Sequence, residues 1–129
     1  MGSPGNSAKS SVRAVRGAVQ LTDDSAAEMD REIPALLKQM LESNQADSSD
    51  VISAFFTVTD DLTAQFPATS ARKGGWGEVP MMCAVEIAVP GSLPRVVRVM
   101  VHLESERPRE QIRHVYRGGA QALRPDLPS

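Results

Sequence analysis

Apolar and polar positions alternate along this chain in blocks, and the densest block lies between Pro80 and Glu104. Val79 to Val89 is almost wholly apolar, Pro90-Gly91-Ser92 supplies turn chemistry, and Val96 to Leu103 resumes with β-branched residues, a pattern that predicts a β-hairpin. In the second strand Val97, Val99, Val101 and Leu103 fall on one face and Val96, Arg98, Met100 and His102 on the other, because successive side chains point oppositely. The first face is core. The second is either the wall of a polar pocket or a solvated sheet face, and for a single arginine the solvated face is the commoner outcome. Glu86 and Arg98 interrupt the apolar runs, and an ionised group there needs a partner, a ligand or water.

Before this block, Val12 to Val19 alternates small apolar and basic residues, a short strand in which Arg16 precedes Gly17. Taken alone it reads as an edge strand with a solvated arginine; the alternative is a strand end aiming a guanidinium into a site. Thr22 to Ser25 carries helix-start signals, and Ser25 with Glu28 fits a capping box. The helix extends to about Ser43, with Met29, Ile33, Leu36, Leu37, Met40 and Leu41 as its buried stripe and a kink or break expected at Pro34.

Val51 to Thr59, rich in β-branched and aromatic residues, predicts a strand. Phe66 to Gly75 predicts a short helix with proline at its start and glycines after its end. Arg72 falls in its last turn, where a cation suits the dipole, and Trp76 reads as a packing anchor. A further short helix is expected from Pro108 to Tyr116, then Gly118-Gly119, Ala120 to Leu123, and a surface tail. The order strand, helix, strand, short helix, hairpin, short helix predicts a single α+β domain with a mixed sheet packed by helices.

Composition narrows the function. At 129 residues, 41% hydrophobic and 23% charged, the chain fits one globular domain. Only 4% of residues are aromatic and the net charge is −2, which disfavours a nucleic-acid partner. One cysteine, Cys83, excludes an internal disulfide, and His102 and His114 alone give no zinc-like spacing, so no metal is expected. Residues 1–11, rich in Gly, Ser and Pro without an apolar run, read as a disordered extension, not a signal peptide or membrane span, and the expected location is cytoplasmic.

Arg16-Gly17-Ala18, Phe66-Pro67-Ala68, Val79-Pro80 with Cys83 and Glu86, Val97-Arg98-Val99-Met100, and Arg113-His114-Val115-Tyr116 with Leu123-Arg124-Pro125-Asp126-Leu127 together form one pattern. In it the chain resembles, over residues 12–127, the compact trimeric chorismate mutases of the α/β class. The resemblance implies a homotrimer with a barrel-like core and sites between subunits. It also implies conversion of chorismate to prephenate in the shikimate pathway, toward phenylalanine and tyrosine, without a cofactor. Carried over residue by residue, Arg16 and Tyr116 would hold a substrate carboxylate, Arg98 would reach the ether oxygen, and Glu86 and Cys83 would bind the ring hydroxyl. Phe66, Arg72, Leu123 and Arg124 would line the pocket. The same resemblance implies Arg98, Glu86 and Arg16 as the catalytic set. Thr69, Met82 and Gly118-Gly119 depart from the pattern.

Arginine forks suit a substrate with two carboxylates. A rearrangement that breaks one C–O bond while forming a C–C bond needs no nucleophile, only a held conformer and positive charge at the ether oxygen. The rival class is a trimeric binding module that keeps the fold without catalysis. One spacing is awkward: Cys83 and Glu86 are three apart and so face opposite sides of a regular strand. Either they serve different half-sites, Glu86 with Arg98, Arg16 and Tyr116, and Cys83 with Phe66 and Arg72 of the adjacent chain, or a bulge restores them to one face.

Overall fold

The computed structural model describes residues 10–123. Arg124 and the tail beyond it, like residues 1–9, lie outside the described residues. The elements run β1 (Ser11–Gln20), α1 (Ala26–Ser43), a 3-10 turn (Ser48–Asp50), β2 (Val51–Val58), α2 (Pro67–Ala71) and a π turn (Arg72–Trp76). Then come β3 (Met81–Val85), β4 (Val96–Ser105), a 3-10 turn (Arg109–Gln111), β5 (Val115–Arg117) and a last 3-10 turn (Gly118–Leu123). The five strands form one mixed sheet in the order β3-β2-β4-β1-β5, so the single-domain α+β reading holds.

The helix α1 forms where its periodicity placed it. Ser25 caps it by accepting from the Glu28 N–H. Met29, Ile33, Leu36, Leu37, Met40 and Leu41 are all buried, as a stripe of 3.6-residue period requires. α1 runs through Pro34 as one helix, and the Pro34 ring packs against Gly74: a Cβ there would stand 2.7 Å from Pro34 Cβ. On the sheet, Val15, Phe56, Val97, Val99, Val101 and Leu103 meet that stripe to make the core, with Trp76 closing it as a buried anchor.

Three expectations fail, each because pairing is decided across the chain and not along it. The stretch from Val79 to Leu103 is no hairpin: β2 lies between β3 and β4, parallel to β3 and antiparallel to β4. β2 carries Phe56 on the core face and Phe55 on the other, apolar on both sides as an interior strand should be. Local turn chemistry at 90–92 looks the same whether a chain returns beside its own strand or steps over another. β1 is no edge strand either, since β4 and β5 flank it. Finally, Pro108 opens only the 3-10 turn Arg109–Gln111, and Val115–Arg117 is extended along Gly17–Val19 of β1.

What holds that last strand is Asn44, the buried C-cap of α1. Its amide donates to the carbonyls of Met40 at 2.8 Å and Arg113 at 2.9 Å, and its oxygen accepts from the Arg113 N–H at 2.8 Å. No helix among the described residues is long and apolar enough to cross a membrane.

Candidate active site

One face of the sheet is covered by α1; the other is largely open. Register places side chains on it in rows. Met82, Phe55, Met100 and Arg16 form one row across β3, β2, β4 and β1, and Ala84, Thr57, Arg98, Ala18 and Tyr116 form the next, which reaches β5. Directly opposed residues share a face, so the alternation read from β4 is confirmed: Val97, Val99, Val101 and Leu103 are buried, while Arg98 is exposed. Of the two readings for Arg98 the pocket wall holds, because a cleft of about 410 Å³ opens between these rows, lined by Arg16, Ala18, Phe55, Thr57, Arg98, Met100, Tyr116 and Leu123.

Each of these side chains arrives by a nameable device. Arg16 is exposed on β1, and its backbone N–H donates to His114 Nδ1 at 3.0 Å, tying the β1 site to the approach of β5. Tyr116 comes with β5, opposite Ala18. After it, Gly118 at φ 58° turns the chain, and the 3-10 turn folds back over Ala18 and Val96, where Ala120 is buried and Leu123 packs. The Gly118-Gly119 departure thus serves that turn: a Cβ on Gly119 would lie 1.7 Å from Gln20 Oε1.

Glu86 falls one residue past β3, and its N–H donates to the Val58 carbonyl at 2.8 Å, extending the parallel ladder. Its carboxylate accepts from the Thr57 hydroxyl and stands 3.3 Å from Arg98 Nε. The register from Met81 to Val85 is unbroken, so no bulge intervenes. Cys83 lies opposite Phe56 and packs against the core, away from the cleft face.

Phe66 and Arg72 also lie apart from the cleft lining. Phe66 precedes α2 and is 72% exposed. Arg72 is exposed, with Nη2 3.4 Å from Thr69 Oγ1. The segment carrying them is nonetheless firmly held. Asp24 accepts from the Thr63 and Ala64 N–H groups, and these bonds, the Thr63 backbone first, hold its carboxyl below the usual range. Asp30 gathers Lys73 at 2.9 Å, Ser70 and Gln65, and the Lys73 bond chiefly lowers its pKa too.

The structure therefore assembles Arg16, Arg98, Tyr116, Leu123 and, through Arg98, Glu86. It separates Cys83, Phe66 and Arg72 from them. Sequence reasoning missed Phe55 and Thr57, and put Met100 on the candidate face without giving it a role. Their alternation was readable, but their neighbours depend on β2 lying between β3 and β4.

A profile of the family described as chorismate mutase type I matches residues 12–127. The chain is 44% identical over 119 residues to the chorismate mutase AroH of Thermus thermophilus, covering 92% of this chain and 98% of that one. It is 38% identical over 117 residues to the chorismate mutase AroH of Bacillus subtilis strain 168, covering 90% and 92%. A solved structure of chorismate mutase from Clostridium thermocellum superposes with a TM-score of 0.82 at 46% identity, covering 84% of this chain and 97% of that one.

Proposed function

We propose, from the premise that this chain belongs to the type I chorismate mutase family, that it converts chorismate to prephenate in the cleft built on β1, β4 and β5. The observation that carries this reading is the convergence of Arg16, Arg98 and Tyr116, from three strands, on one 410 Å³ cleft with Glu86 held beside Arg98. In the assignment of roles, Arg16 and Tyr116 take a substrate carboxylate, and Arg98 presents its charge where the ether oxygen gains electron density. Glu86 orients Arg98 and accepts from the ring hydroxyl. Leu123 walls the pocket. An aimed donor of this kind lowers the barrier by about 3–4 kcal/mol.

The active form is a homotrimer with sites between subunits. Exposed apolar side chains support this, since Met82 on the open face is 70% exposed, and at and beyond the end of β3 Val85 is 65% and Ile87 85% exposed, an apolar surface of the kind that marks an interface. Phe66 and Arg72 then face the neighbour's cleft, joined by Cys83, whose strand β3 packs on α2. A cytoplasmic place in aromatic amino-acid biosynthesis goes with the reaction.

The test is a cofactor-free assay following loss of chorismate absorbance with purified protein. Turnover should occur and should fall about 10²–10³-fold in Arg98→Ala; no turnover, or an unimpaired variant, refutes the reading. Co-refolding equal amounts of Arg98→Ala and Arg72→Ala chains tests the shared site. Random assembly into rings pairs two intact halves at about a quarter of interfaces, so activity should return. A mixture as inactive as its parents places both residues in one half-site.

A further inference from the structure

We infer that the Thr57 hydroxyl is the positioning group that fixes Arg98 for the rearrangement, acting through Glu86; this rests on the chorismate mutase reading above. β2 runs between the strand that ends at Glu86 and the strand that carries Arg98. Thr57 is the residue of β2 directly opposite Arg98 and also opposite Ala84, two residues before Glu86. Its hydroxyl donates to Glu86 Oε2, the same oxygen that stands 3.3 Å from Arg98 Nε. The three groups therefore form one chain: hydroxyl to carboxylate to guanidinium.

The link is needed because the ion pair alone is a poor holder. The Arg98 side chain is 49% exposed and that of Glu86 29%, and ion pairs so open to water contribute little against the side-chain entropy of keeping them in one geometry. Glu86 also lies beyond the last regular residue of β3, where its backbone is anchored by a single ladder bond. Thr57 is different. It is half-buried in an interior strand, flanked by Phe56 and Val58 in the core, and a β-branched side chain keeps few χ1 states. It is the one rigid member of the three, and rigidity is what a charge aimed at a transition state requires.

Removing the hydroxyl while keeping the shape isolates this role. Thr57→Val should lower kcat about tenfold with KM changed less than twofold, and Thr57→Ser should restore most of the loss. An activity-independent readout is the Arg98 Nε–Hε resonance in ¹H–¹⁵N spectra, assigned by its disappearance in Arg98→Lys. It should shift and broaden in Thr57→Val and return in Thr57→Ser. Wild-type kcat with an unmoved resonance overturns the inference. So does a Thr57→Ser protein as impaired as Thr57→Val, which would show that a hydroxyl at this position does not hold Arg98. A raised KM at unchanged kcat overturns it as well, by making Thr57 a direct substrate contact. If the wild-type protein does not turn over chorismate, the functional reading fails, while the resonance still decides whether Thr57 holds Arg98.

Discussion

Gly17 lies between two residues that line the cleft, Arg16 and Ala18, and its other face packs tightly on Met40 and Leu36 of α1. A Cβ at this position would stand 2.3 Å from Met40 Sδ, 3.0 Å from Met40 Cε and 3.3 Å from Leu36 Cδ1. Normal separations between such atoms are about 3.5–4.0 Å, so the methionine tip must retreat by more than an ångström. Methionine is adaptable, but Met40 is 1% exposed and Leu36 0%, in a filled core. Overpacking of this kind costs about 1–3 kcal/mol. Replacing glycine stabilises by about 0.4–1 kcal/mol through the unfolded chain, which leaves Gly17→Ala about 1–2 kcal/mol less stable. For a domain of this size that lowers Tm by roughly 3–10 °C. The strand that lifts carries Arg16, so kcat/KM should also fall several-fold. The measurements are thermal unfolding and the chorismate assay on the same preparations, with Gly17→Ala/Met40→Ala as control. The double variant should be more stable than the sum of the single changes, because the new methyl fills part of the space that Met40 vacates. A Gly17→Ala protein as stable as the parent would refute the reasoning, by showing slack in the core where none is seen.

Two further outcomes follow from groups that tie the frame together. Asn44→Ala leaves the backbone N–H and C=O of Arg113 without their partner, so it should cost about 2–4 kcal/mol in urea unfolding and loosen Tyr116, raising KM for chorismate. Glu28 accepts from the backbone of Thr22 and Asp23 and from the Thr22 hydroxyl, and the Thr22 backbone bond chiefly holds its pKa below the ordinary 4.5. A depressed carboxyl contributes stability that is present above the ordinary value and lost as pH falls through the folded one. Glu28→Gln should therefore flatten the acid limb of a stability profile taken below pH 4.5, and a limb of unchanged steepness would contradict the assignment.

How much could be read from the chain differs between its two periodicities and its pairings. The α1 stripe and the β4 alternation were legible residue by residue, since each is a local geometric repeat that burial follows directly. The strand order was not. Nothing in Val79 to Leu103 says that Val51–Val58 lies between its halves, because that choice is made by hydrogen bonds to residues some 25 to 50 positions away. The same ignorance hid Thr57, a polar residue on an ordinary alternating face until β2 is seen to separate Glu86 from Arg98. It also hid β5, whose strand conformation depends on the open edge of β1 and on the Asn44 clamp. Arg16, Arg98 and Tyr116 were found by pattern, and the structure explains why the pattern contains them: they are the open-face residues of three adjacent strands.

The charge of the cleft points to the same interface. Arg16 lies opposite Met100, so Arg98, two residues before Met100, is its diagonal neighbour on the sheet. The two guanidiniums and the Glu86 carboxylate leave this cleft with one net positive charge, while chorismate brings two carboxylates. A site that holds a dianion against water with a single net charge is underpowered, because half-exposed charges interact through a high effective dielectric. Arg72 is exposed, unpaired with any acid among the described residues, and set on a segment that Asp24 and Asp30 hold in place. Under the proposed assembly it is the cation that the neighbouring chain supplies, which balances the charge and makes each cleft complete only at an interface. The same arithmetic says why an isolated protomer, though it carries Arg98 and Glu86 already paired, should bind chorismate weakly and turn it over poorly.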